Sequence, residues 1–260
     1  MLAYFSHYVA LGDSMSIDLY PALDAGETDV AVALERHPGA GSVAPLGAAS
    51  LFYDNDDARW PEDQSDDLAS RYVGIGFQNL ASDGATIGDV FGEQLTQLSE
   101  SDESTLVTLT VGGNDLLSAF ANKPRAGLLD AIARDVADAY DFLLDSLRRS
   151  RPNSLILLTT IYDPSDRTGR IPGVLEDVGT LPLPVLDGLN AHVRALCEGT
   201  PHTALADVYL RFLGHGASAP EEDRWYWRRS LIEPNALGAH EIRRTWRDAL
   251  DAADAAIENA

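Results

Sequence analysis

A chain of 260 residues, 45% hydrophobic and 23% charged, has the size and composition of one α/β domain with a substantial core. Its net charge of −22 argues against nucleic acid as a partner, because the phosphates would be repelled. The single cysteine, Cys197, excludes an internal disulfide and a cysteine-based metal site, and no apolar run reaches the ~18 residues that would suggest membrane insertion.

The opening residues, MLAYFSHYVALGDS, carry no basic region and no A-x-A-like site, so a cytoplasmic location is expected. Their apolar residues read as part of a first strand over 7–11. That run stops on Gly12-Asp13-Ser14, where glycine permits a sharp exit. A serine here is either a helix cap or a nucleophile at the carboxyl edge of a sheet, where open α/β folds place their ligands.

Residues 21–70 read as irregular. Their acidic stretch YDNDDARWPEDQSDD lacks the spacing and central glycine of a calcium loop and is expected to be solvated. Further buried strands are predicted over 73–80, 105–111, 154–161 and 204–210, each short, apolar and followed by Gly, Asp, Ser or Asn. Helical periodicity appears at 127–150, with a stripe from Leu128 and Leu129 through Leu147, and at 186–199. A third helix is expected over 233–260, with Pro234 at its first position; residues 162–185 read as irregular. Alternating strands and helices of this length imply one domain, 1–260, built on a parallel sheet with helices on both faces.

Two further strand ends carry candidate chemistry. After the second comes NLASDGATIGDV, where Gly84 is a turn residue or an N–H aimed into a cleft. After the third comes VGGNDLL, where Asn114 or Asp115 caps a helix or Asn114 donates to an oxyanion. Parallel strands end on one side, so Ser14, Gly84 and Asn114 can converge. Acyl transfer needs that arrangement, a nucleophile with preorganised donors.

GDS after the first strand, Gly84 after the second and GGND after the third resemble the first three blocks of the SGNH, or GDSL, hydrolase family. The resemblance implies a flavodoxin-like three-layer α/β/α sandwich with a five-stranded parallel sheet. It also implies a serine esterase that cleaves a small-molecule ester, with no cofactor and no metal. By that similarity Ser14 is the nucleophile, and the N–H groups of Ser14 and Gly84 with the Asn114 side chain form the oxyanion hole.

The family's last block usually reads D-x-x-H. Here the matching stretch is SLIEPNALGAH, with Ser230 at the Asp position and Glu233 at the His position. The chain resembles a branch carrying FLGHG and IEPN segments instead. A serine needs a base. His7 and His202 fall at the wrong end of the sheet, His37 in the early irregular region, and His192 in a helix. His240 lies about two helical turns past Glu233. His215, between two glycines at the correct edge, is the expected base, oriented by Glu233 in a shifted Ser-His-Glu triad; otherwise His215 is a loop residue and Glu233 a helix cap. Trp225, Tyr226 and Trp227 either wall a pocket or pack a lid. The competing function is a catalytically silent binding protein on the same fold.

Lys123 is the only lysine, and aspartate outnumbers glutamate. A G+C-rich genome gives that bias, as does adaptation to salt, where an acidic surface is screened; salt adaptation is the preferred expectation.

Overall fold

The computed structural model of the protein describes residues 4–34, 43–122, 128–174, 176 and 179–258. Its centre is a five-stranded sheet of β1 (His7–Gly12), β2 (Gly76–Asn79), β3 (Thr105–Thr110), β4 (Ser154–Thr159) and β5 (Thr203–Ala206). The spatial order is β2-β1-β3-β4-β5, and every ladder is parallel. The expected flavodoxin-like α/β architecture is the observed one.

Helices α1 (Leu19–Asp24), α2 (Val30–Leu34), α3 (Ala48–Tyr53) and α4 (Leu68–Arg71) lie between β1 and β2. After β2 comes the short α5 (Ile87–Asp89). Between β3 and β4 run α6 (Gly113–Ala121) and α7 (Leu129–Ser150), and α8 (Leu183–Gly199) leads to β5. The chain then passes through α9 (Val208–Phe212), a hairpin of β6 (Tyr226–Trp227) and β7 (Ser230–Pro234), and α10 (Ala236–Glu258).

Strand alternation divides the core. Val9 and Leu11 of β1 pack with Tyr140 and Leu143 of α7 and Leu189 of α8. Tyr8 and Ala10 face the other way, into a cluster with Phe52 of α3 and Trp246 of α10. β1, β3 and β4 are buried at nearly every position because both faces are covered. β2 is an edge strand and only half buried.

Five expectations change. Residues 21–70, read as irregular, hold α2, α3, most of α1 and the start of α4. The strand expected at 204–210 ends at Ala206, because Asp207 accepts a hydrogen bond from the Leu210 N–H and starts α9. The last helix begins at Ala236, not at Glu233. Pro234 closes β7, and Asn235 Oδ1 accepts the Gly238 N–H at 2.8 Å, so the cap is Asn235. Leu128, assigned to the α7 stripe, is exposed, whereas Val136, Tyr140, Leu143, Leu144 and Leu147 are buried. The acidic stretch is not wholly solvated, since Asp63 and Asp67 are buried. His37 and Lys123 lie outside the described residues.

Candidate active site

The site begins where β1 ends. Gly12 has φ +126°, and a Cβ there would stand 1.9 Å from the Thr110 carbonyl oxygen. Only glycine lets β1 turn this close to β3. Gln94, itself buried, fixes that peptide from both sides: its Oε1 accepts the Gly12 N–H and its Nε2 donates to the Gly12 carbonyl, each at 2.8 Å. The next residue, Asp13, accepts the Met15 N–H through Oδ1 at 3.1 Å, closing a turn that holds Ser14 between two fixed peptides. Ser14 is 7% exposed.

The loop after β2 is tied to the same turn. Ser82 N–H donates to the Gly12 carbonyl at 3.0 Å, and Gln94 Nε2 donates to Ser82 Oγ at 3.2 Å. Gly84 follows in the left-handed region, φ +71°, in an exposed turn. After β3, Gly112 occupies the cap position of α6 with φ +110°. Asn114 and Asp115 are therefore not caps and project from the first turn. Asn114 Nδ2 donates to the Ala85 carbonyl at 3.0 Å. That bond orients the amide and leaves its second hydrogen for another acceptor. Asp115 accepts the Ile87 N–H, so the loops after β2 and β3 brace each other.

Ser14, Asn114 and Glu233 line one cavity. Its remaining walls are largely apolar, with Leu116, Leu117 and Phe120 from α6, Ile161, Ile171 and Leu181 from the segment after β4, and Leu186 from α8. Gly84 and the Trp225-Tyr226-Trp227 run are not among its walls. Trp225 stacks on His215, Tyr226 packs edge-on against Tyr162 and Phe212, and Trp227 leans on Tyr20. These aromatics act as packing.

Glu233 is buried near the end of β7. Burial raises its carboxyl, the hydrogen bond from the Ser14 hydroxyl lowers it, and the Asp83 charge raises it again, leaving it at about 7. Its Oε2 is enclosed without a hydrogen-bond partner. Asp13 is pushed up to about 7 as well, first by burial, while the Met15 N–H and Thr110 hydroxyl pull it down and the charges of Glu233 and Asp115 add to the rise.

The structure brings Glu233 to Ser14 and leaves both candidate histidines elsewhere. His215 is not a wall of the cavity. Its ring lies flat on Trp225, centroids 3.6 Å apart, and Nδ1 is 2.9 Å from the Asp223 carbonyl oxygen. The flanking glycines serve the loop, not ring mobility: Gly214 and Gly216 donate N–H groups to the Asp166 carboxylate at 2.9 and 3.0 Å. His240 is buried against Trp60, with Nε2 2.6 Å from Asp63 Oδ2. Sequence reasoning missed Gln94 and Asp166. Neither belongs to a motif, and both act across long sequence distances.

With this geometry the sequence matches the GDSL-like lipase/acylhydrolase family over residues 10–240. The chain belongs to that family. Membership assigns it the class of ester-bond hydrolases. Solved structures with the same fold include the extracellular lipase of Streptomyces rimosus, 20% identical, TM-score 0.59, covering 94% of this chain and 99% of the lipase. The phospholipase A1 of Streptomyces albidoflavus NA297 is 19% identical, TM-score 0.60, covering 94% of this chain and 99% of that one. An acetyl xylan esterase is 14% identical, TM-score 0.58, with 94% and 98% covered. Comparison with curated protein sequences gives no match. Among the described residues, no helix is long and apolar enough to cross a membrane.

Proposed function

We propose that this GDSL-family chain cleaves carboxylic esters through an acyl-enzyme on Ser14. The observation that carries the reading is the placement of Ser14, nearly buried at the carboxyl end of β1, on the wall of a largely apolar cavity that it shares with Asn114. Ser14 Oγ attacks the ester carbonyl. The negative charge that develops on the carbonyl oxygen is taken by the Ser14 N–H and by Asn114 Nδ2, whose orientation the Ala85 carbonyl sets. Such donors act most strongly when they are fixed before the reaction, and Gln94 fixes the Gly12 peptide that leads into Ser14. The structures of similar fold include enzymes named for lipid and for sugar esters. Here the leucine, isoleucine and phenylalanine walls favour an acyl chain of several carbons over acetyl, because each buried CH₂ contributes about 0.8 kcal/mol.

Intact-mass labelling with a fluorophosphonate, followed by peptide mapping, tests the reading. One adduct on the peptide carrying Ser14, absent in Ser14→Ala, together with faster turnover of p-nitrophenyl hexanoate than of the acetate, is the expected result. Folded protein that gives neither adduct nor turnover would be a silent binding protein.

A further inference from the structure

We propose that Glu233 itself takes the proton of Ser14, with no imidazole between nucleophile and base. The inference rests on Ser14 being the nucleophile and names the group that activates it. Ser14 and Glu233 line the same cavity, Ser14 is the hydroxyl that acts on the Glu233 carboxyl and lowers it, and Oε2 is enclosed with no hydrogen-bond partner. Each described histidine is committed or remote: His7 beside Glu103 at the start of β1, His192 to Asp141, His240 to Asp63, His215 to Trp225 and the Asp223 carbonyl, and His202 in the turn before β5. Of the two other carboxyls on the cavity wall, Asp13 accepts the Met15 N–H through Oδ1, and Asp163 accepts the N–H groups of Ser165 and Arg167.

Among charged groups Asp83 raises Glu233, and the Glu233 charge in turn raises Asp13, Tyr20 and Tyr162. No guanidinium is among them. Burial and these acids remove the reason an ordinary glutamate is too weak a base for a serine. Held at about 7, the carboxylate has the basicity general-base catalysis requires near neutral pH.

The same change accounts for both departures from D-x-x-H. An imidazole that accepts a proton becomes a cation and needs a carboxylate to stabilise it. A carboxylate that accepts a proton becomes neutral and needs no such partner, so Ser230 can stand where an aspartate is usual. As the Oγ–carbon bond forms, the Oγ proton passes to Glu233 and the carbonyl π electrons move to oxygen. Collapse breaks the bond to the leaving oxygen, which takes the proton back from Glu233. Water then gives its proton to Glu233 and its hydroxyl to the acyl carbon. The second collapse returns the proton to Ser14 Oγ and frees the carboxylic acid.

The test is kcat/KM against pH for p-nitrophenyl hexanoate, with fluorophosphonate labelling rates beside it. In the wild type both should rise with an apparent pKa near 7 and level off above it. Glu233→Gln, nearly isosteric, should lose at least ~100-fold in both, with its circular dichroism and melting intact. His215→Gln reads the competing route and should stay within about tenfold, with the same pH profile. A difference infrared titration of wild type against Glu233→Gln should show one extra carboxyl ionising near neutrality, a readout independent of turnover. A folded Glu233→Gln that keeps its labelling rate, or a His215→Gln loss equal to that of Glu233→Gln, overturns the inference while leaving Ser14 as nucleophile. A wild type without adduct overturns both.

Discussion

At the scale of single residues, the site is a set of groups held against their ordinary preferences. Gly12 bends where a side chain would collide with Thr110, and Glu233 and Asp13 keep carboxyls in an enclosure that favours their protonated forms. Such strain should be visible in stability. The folded pKa of Glu233 is raised from 4.5 to about 7, so its contribution is fully present below about pH 4.5 and is lost as pH rises through 7. Glutamine does not ionise and escapes that loss. Glu233→Gln should therefore be more stable than wild type at pH 8, on the order of 2–3 kcal/mol, and equal to it near pH 4. Urea denaturation at the two pH values checks this; equal stability at both would mean that the carboxyl is solvated. Stability gained where activity is lost is the usual signature of a functional group kept in an unfavourable setting.

At the scale of elements, α10 is anchored by charge as well as by its apolar face. Arg243 is fully buried, and its Nη2 donates to Asp63 Oδ2 at 3.0 Å, beside His240 Nε2 at 2.6 Å and Arg247 Nη1, which reaches Asp63 Oδ1 at 2.9 Å. Burial alone would raise the Asp63 carboxyl, but the His240 hydrogen bond and the two guanidiniums hold it below the usual carboxylate range. Asp63→Asn leaves Arg243 buried without a countercharge, so the variant should lose about 3–5 kcal/mol in urea unfolding; a loss under 1 kcal/mol would mean that water reaches the cluster. This anchor was not legible in the sequence, because Asp63 and Arg243 lie 180 residues apart in a stretch whose other acids are mostly exposed. The parallel sheet was legible, since local apolar runs and period-3.6 stripes mark buried strands and the helices that cover them. Local patterns misled at two places. ALADVYL reads as one strand, yet the cap at Asp207 divides it into β5 and α9. EPNALG reads as a helix start, yet Pro234 ends a strand. That second misreading set Glu233 at a helix mouth, as the group orienting His215 or as a cap, and hid its place beside Ser14 on the cavity wall. The three loops that carry Ser14, Gly84 and Asn114 were legible because each follows a strand of the parallel sheet.

At the scale of the whole molecule, the dominant quantity is the net charge of −22. Most aspartates and glutamates cannot find a cation, because 41 acids face 19 lysines and arginines. Exposed pairs such as Arg71 with Asp251 and Asp254, or Arg167 with Asp187, contribute at most about 1 kcal/mol each and are weakened by salt. Against them stands repulsion among the unpaired acids, which acts over a Debye length of about 30 Å in 0.01 M salt and about 10 Å in 0.1 M. Screening thus removes a destabilising sum larger than the stabilising one it weakens, while the enclosed Asp63–Arg243 pair is little affected. The melting temperature should rise by about 3–6 °C between ~0.01 and ~0.3 M NaCl, a range that screens charge before salt acts strongly on apolar hydration. The rise should shrink at pH 4.5, where many acids are partly protonated. A melting temperature that is flat or falling with salt would make the acidic composition a matter of codon usage. A rise of equal size at both pH values would assign it to hydration and not to charge.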